Sequence, residues 1–92
     1  MDNKNIRTLE RVFKGAANHW RIRILFIVAD NPGIILDDIV TEVKGVYPTI
    51  SEHTKRLRIA GLINKTYRGK AVAHELSPFG KKMVKILRTF LD

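Results

Sequence analysis

Ninety-two residues suffice for one domain with a single modest core and leave no room for a second. Seventeen Lys and Arg against nine Asp and Glu give a formal charge of +8, which draws polyanions at long range, nucleic acid before an anionic membrane. Cysteine is absent, which excludes disulfides, thiolate metal sites and thiol redox sensing.

The opening residues MDNKNIRTLE lack the apolar run of a signal peptide, and the longest apolar-dense segment, residues 22–29, carries Arg23 and is far shorter than the roughly 20 residues of a membrane span. A soluble, cytoplasmic protein is expected. Ile6, Leu9, Val12, Phe13 and Ala16 share one helical arc while Lys4, Arg7, Arg11 and Lys14 fall outside it, which predicts an amphipathic helix over residues 4–17. Asn18 suits the N-cap of a second helix, HWRIRILFIVA, whose apolar residues cover nearly every direction around the axis, as in a central helix. Arg21 and Arg23 lie in its first turns, where the macrodipole disfavours cations unless an anion is near; a DNA phosphate or an acid of this chain would serve.

Asp30 to Gly33 carry a turn signature, and Ile34 and Ile35 suit a very short strand. In LDDIVTEV, Ile39, Val40 and Val43 line one side of a short helix, Asp37 and Asp38 match the positive end of its dipole, and it stops before Lys44 and Gly45. A tight glycine-containing turn then leads into YPTISEHTKRLRIAGLI, residues 47–63. Pro48 fits a first helical turn and Gly61 a stop. Between them Ile50, Thr54 and Leu57 fall on one buried side with His53 flanking, while Ser51, Glu52, Lys55 and Arg56 point away and Tyr47, Pro48 and Thr49 cluster at the tip. Helix, turn and helix in this order form a helix-turn-helix, with residues 47–60 as the helix that would enter a major groove.

After Gly61 the pattern becomes extended: LINKTYR, a turn centred on Gly69, then KAVAHEL. This hairpin presents Lys65, Arg68 and Lys70, which are expected to project together from one corner. Ser77 and Pro78 then give an N-cap and a first-turn proline for a last helix over residues 78–91. Phe79, Met83, Ile86 and Phe90 form its stripe, widened by Val84, Leu87 and Leu91, opposite Lys81, Lys82, Lys85 and Arg88. That apolar width predicts that the terminal helices pack together and then against a second copy, an isologous dimer built on Ile6, Leu9, Phe13, Phe79, Met83, Ile86, Leu87 and Phe90. The expected fold is mainly α with a small β hairpin: one winged helix-turn-helix domain over residues 1–92, with about five helices and a two- or three-stranded wing.

Three strings carry a family resemblance. NHWRIRIL (residues 18–25), PTISEHTKRLRIAGLI (48–63) and YRGKAVAHEL (67–76) resemble the start of the second helix, the recognition helix with its exit, and the wing of the arsenic-repressor (ArsR) type of winged-helix regulators. The middle string is the most specific, with Thr49, Ser51, His53, Leu57, Ala60, Gly61 and Leu62 in step, and the resemblance runs from Leu9 to Leu91. It implies a homodimeric DNA-binding transcriptional regulator, a repressor by the family's type, while the residues themselves do not decide between repression and activation. Metal sensing is not implied: the family's thiolate positions fall on Leu36, Asp37, Asp38 and Ile39, and residues 77–91 hold neither the His nor the carboxylates of its other site. The usual polar cap before the recognition helix is also replaced around Gly45 to Tyr47, and Ile59 lies on the outward face without an evident partner.

On that fold, affinity would come from Lys and Arg neutralising phosphates, with Tyr47, Thr49, Ser51, Glu52 and Lys55 as readers of base edges. Glu52 has an alternative role, pairing with Arg56 four residues on. Arg21, Pro48, Arg56, Lys65, Arg68 and Lys70 are further DNA-binding candidates, the wing over residues 65–72 following the backbone or entering a minor groove. Pro48 would set the tip's geometry. His19, His53 and His74 come from three elements without metal-ligand spacing, and no glycine-rich phosphate loop or paired acids suggest an enzyme, so neither metal nor cofactor is expected. Double-stranded DNA is the expected partner, with the effector unidentified. Protein or RNA contact through the same module, and peripheral attachment to anionic lipid, are the alternatives.

Overall fold

The hydrophobic residues that surround the axis of the second helix place it at the centre of the molecule. The computed structural model describes residues 1–91, so Asp92, the last residue of the expected domain, lies outside the described residues. Among these, five helices and three strands run in the order α1 (Asn3–Ala16), α2 (His19–Asp30), β1 (Ile34–Ile35), α3 (Leu36–Val43), α4 (Tyr47–Ile59), β2 (Ile63–Arg68), β3 (Ala71–Leu76) and α5 (Pro78–Thr89). α2 touches every other helix and β3. Its Ile24, Leu25 and Val28 are buried in one core with Ile39, Ile50, Leu57, Leu62 and Met83. Each fully buried side chain of this size contributes about 1.5–3 kcal/mol relative to exposure. Asn18 caps α2 as its sequence position suggests: Oδ1 accepts the amides of Trp20 at 2.9 Å and Arg21 at 3.3 Å.

The sheet is antiparallel in the order β1-β3-β2. Ile34 pairs with His74 and Ile63 with Leu76, so β3 is the middle strand and the hairpin is anchored to the body through β1. His74 is buried, with Nδ1 at 3.1 Å from the Ile34 carbonyl oxygen. Only a protonated Nδ1 can pair with a carbonyl, which selects that tautomer of the neutral ring. Burial depresses its pKa below the ordinary 6.5; the Ile34 hydrogen bond opposes this, and the charges of Arg58 and Lys65 reinforce it.

The turn before α4 differs from a simple glycine turn. The left-handed residue is Lys44, at φ 54°, with its amide on the Thr41 carbonyl at 3.1 Å. Gly45 serves another purpose: a Cβ there would collide with the side chain of Ile50, the first core residue of α4. α4 buries Ile50, Thr54 and Leu57 as its periodicity requires, and Thr54 Oγ1 returns to the Ile50 carbonyl at 2.8 Å. It stops at Gly61, φ +81°.

The terminal helices depart from expectation. α1 packs on α2 and α4, and α5 on α2 and β3, so their principal contacts are not with each other. Met83, expected on the outer interface, is 2% exposed and belongs to the core, and Leu87 is half-buried against that core. The stripe on α5 was wide enough to serve two surfaces: Met83 and Val84 face inward, while Phe79 and Ile86 remain exposed with Phe90, which is 80% exposed. Ile6, Leu9 and Phe13 on α1 are also exposed. Among the described residues, no helix is long and apolar enough to cross a membrane.

Two outcomes follow for stability. Within a helix, alanine ordinarily gains about 1 kcal/mol over glycine. At Gly80, however, a Cβ would run into the Leu62 carbonyl oxygen, so Gly80→Ala should lower stability by about 1–3 kcal/mol, read as an earlier urea midpoint at unchanged m-value. The pH dependence follows from His74, whose folded pKa lies below the 6.5 of the unfolded chain. Below 6.5 the unfolded state binds the proton first, so stability is full above that value and falls as the pH drops through it toward the lower folded pKa. Denaturation midpoints should therefore decline on acidification from about pH 7.5 to about pH 5.5, and His74→Gln should flatten that decline.

Candidate nucleic-acid interface

The N-terminal half of α4 leaves its outer face free. Tyr47 is 51% exposed, and Pro48, Thr49, Glu52, Lys55 and Arg56 are exposed with it. No side chain caps this helix: Val46 occupies the N-cap position in extended conformation without a side-chain hydrogen bond. Pro48 lacks an amide, which removes one of the unpaired donors of the first turn. The tip is consequently apolar and uncapped where most helices carry Ser, Thr, Asp or Asn.

α4 and the hairpin enclose a half-open cleft of about 480 Å³. Tyr47, Ser51 and Arg58 line it from α4, and Lys65, Lys70 and His74 from the strands and their turn. Arg58 is the residue that sequence reading missed. It follows Tyr47 and Ser51 on the same helical face, so the 3.6-residue period was the signal that could have found it. Arg58, Lys65 and Lys70 have no acidic partner within 4.0 Å among the described residues, where the ion pairs are Lys14–Glu10, Arg56–Glu52 and Arg88–Asp30.

The other candidates separate. Glu52 and Arg56 take the intrahelical alternative, with Arg56 Nε donating to Glu52 Oε1 at 3.0 Å. Exposed pairs of this kind contribute about 0.3–0.5 kcal/mol, so both groups can rearrange at little cost. Arg68 does not join Lys65 and Lys70: its guanidinium lies near Gly33, about 3.6–3.8 Å from where a Cβ would stand. Residues 65 and 68 are three apart in one strand and therefore leave opposite faces of the sheet. Lys65 sits over the ring of exposed Tyr67, 5.3 Å from its centroid. Ile59 is 61% exposed.

Arg21 is half-buried away from the cleft and meets no acid among the described residues. Its Nε donates to His53 Nδ1 at 3.2 Å and its Nη1 to the Gly15 carbonyl at 3.4 Å. His53 is held neutral for that role: burial lowers its pKa first, then the charges of Arg21 and His19, against a smaller opposing effect of Glu52. Arg23 instead lies over the Trp20 ring at 5.4 Å. Among the described residues, no group of three or more His, Asp or Glu side chains is arranged to hold a metal ion.

No protein-family model matches the chain, and no curated protein matches it either. Solved structures do. HlyU from Vibrio cholerae N16961 is 26% identical, with a TM-score of 0.86 over 97% of each chain. The homodimeric winged helix-turn-helix DNA-binding domain Mb0332 from Mycobacterium bovis, a possible ArsR-family transcriptional regulator, is 19% identical, with a TM-score of 0.87 over 100% of this chain and 88% of that one. The transcriptional repressor PagR of Bacillus anthracis is 16% identical, with a TM-score of 0.84 over 94% of this chain and 99% of that one. Helix order, sheet topology and these similarities show that the chain has the winged helix-turn-helix fold.

Proposed function

We propose that this chain is a cytoplasmic, homodimeric transcriptional regulator that binds double-stranded DNA, acting as a repressor, with α4 in the major groove and the β2–β3 hairpin on the adjoining backbone or minor groove. The observation that carries the reading is the shared cleft: the exposed face of α4 and the hairpin's cations Lys65 and Lys70 lie side by side, unpaired with acids. In this reading a strand runs from the groove filled by α4 past the cleft to the wing, and the cations there neutralise its phosphates. Tyr47, Thr49, Ser51 and Lys55 are the base-reading candidates. Glu52 joins them only by releasing Arg56, which would then be free for a phosphate. Arg21, held by His53 and the Gly15 carbonyl, and Arg68, beside Gly33 and away from Lys65, act at the margins.

Assembly supports the same reading. Ile6, Leu9 and Phe13 on α1 and Phe79, Ile86 and Phe90 on α5 remain exposed, an apolar face on each terminal helix that a second copy would cover. Burying these faces against a second copy would give two recognition helices spaced about one helical turn of DNA, roughly 34–36 Å, and a pseudopalindromic site. The Mycobacterium bovis domain, similar over the whole chain, is homodimeric.

Lys55→Ala should cost about 1–3 kcal/mol on a selected duplex and less on random sequence, whereas Lys70→Ala should weaken both alike and reduce the slope of log K against log salt by about one. Fluorescence anisotropy across a salt series reads both effects, and salt-independent binding would reject the proposal. In sedimentation equilibrium, Phe90→Asp should shift dimer to monomer and lower duplex affinity with it; a variant still dimeric would remove α5 from the interface.

A further inference from the structure

The cleft between α4 and the hairpin is lined by more than cations. Its volume of about 480 Å³ falls within the roughly 300–1,000 Å³ of pockets that hold small molecules. Its lining combines two kinds of surface. Ile35, Leu36 and Val72 supply apolar wall. Arg58, Lys65 and Lys70 supply charge, and Tyr47 and Ser51 supply hydroxyls. Asp37 is the one carboxylate among the described lining residues, so three cations against one acid leave a net excess of two positive charges. None of the three cations has an acidic partner within 4.0 Å among the described residues. His74 completes the wall: with Nδ1 donating to the Ile34 carbonyl at 3.1 Å, Nε2 keeps a lone pair that can accept from a ligand hydroxyl.

We infer that this cleft binds a small organic dianion with an apolar body, of the phosphate-monoester class. Arg58 and the two lysines take the phosphate through charge-assisted hydrogen bonds, Ser51 and Tyr47 donate to its remaining oxygens, and the Ile35, Leu36 and Val72 surface takes the body. The consequence for regulation rests on the DNA-binding reading above. Lys65 and Lys70 cannot neutralise a backbone phosphate and hold the bound dianion together, so occupancy of the cleft lowers duplex affinity.

The test titrates the 15N-labelled full chain with phenylphosphate at constant ionic strength, with inorganic phosphate in parallel. Saturable amide shifts centred on Ser51, Arg58, Lys65 and Ala71 are expected. Affinity should be about tenfold higher for phenylphosphate than for inorganic phosphate, and should drop about tenfold or more in Arg58→Gln. Lys70→Gln, on the exposed hairpin turn, gives the same reading if Arg58→Gln does not fold. In a second arm, phenylphosphate should raise the apparent Kd of a random-sequence duplex for the unaltered chain but not for Arg58→Gln. Absent saturation, equal affinity for inorganic phosphate, or shifts indifferent to both substitutions overturn the site. Duplex binding without any phenylphosphate shift also overturns it, leaving the DNA reading intact. Phenylphosphate binding by a chain that ignores duplex upholds the site and removes the DNA reading instead.

Discussion

Helix α4 and the β2–β3 hairpin are held in one geometry by a short clamp at the base of the hairpin. Ser77 Oγ donates to the Gly61 carbonyl at 2.6 Å and accepts the Gly80 amide at 3.0 Å, while the Ser77 amide donates to the Leu62 carbonyl at 3.0 Å. One serine thus ends the connection out of α4, closes the two strands where they meet, and caps α5. The clamp works only because Gly80 lets α5 rest directly on the Leu62 backbone. With α4, the hairpin and α5 tied at one point, the cleft between α4 and the strands acquires fixed walls. Side-chain positions at the mouth of a site follow from such backbone closure more than from any contact among the charged residues themselves.

The charge distribution is arranged around what the core leaves outside. A formal charge of +8 on so small a body is self-repelling, and the few exposed ion pairs relieve little of it. Several cations also lie over rings: Arg23 over Trp20, Lys65 over Tyr67, Lys82 over Phe79, and Arg88, already paired with Asp30, over Phe26. A ring face attracts a cation without neutralising it, so the long-range positive field survives while the side chains are steadied. Arg21 follows the same logic by another route, since a neutral imidazole and a carbonyl orient its guanidinium and leave its charge intact.

Most of the architecture was legible because local signals agreed with one another. Asn18, Pro48, Gly61 and Ser77 mark helix ends through the chemistry of a cap, a fixed φ or a left-handed residue, and each stands where the chain turns. What was harder to read depends on three-dimensional neighbours. Met83 and Phe90 belong to one helical stripe, and only the position of the core decides that one is buried and the other bare. The same holds for Arg21: its helix position called for an anion, and a distant histidine met the need with a lone pair. Arg58 and Arg68 are different cases, because helical and strand periods already assign their faces; attention to charge alone grouped Arg68 with the wrong neighbours and passed over Arg58.

The uncapped tip of α4 ties the free molecule to the proposed bound one. A polar N-cap is commonly worth about 0.5–2 kcal/mol, and this helix forgoes it with Val46 while exposing both Val46 and Tyr47. Part of the loss is offset by Pro48, which removes one unpaired amide and pre-sets φ for the first turn. The rest persists in the isolated chain as free donors beside exposed apolar carbon. A major groove offers both counterparts at once: phosphate oxygens at its edge for the amides, and thymine methyl groups in its floor for the apolar side chains. A tip built this way gains more from a duplex than a well-capped one would, because the duplex supplies what its own sequence omits.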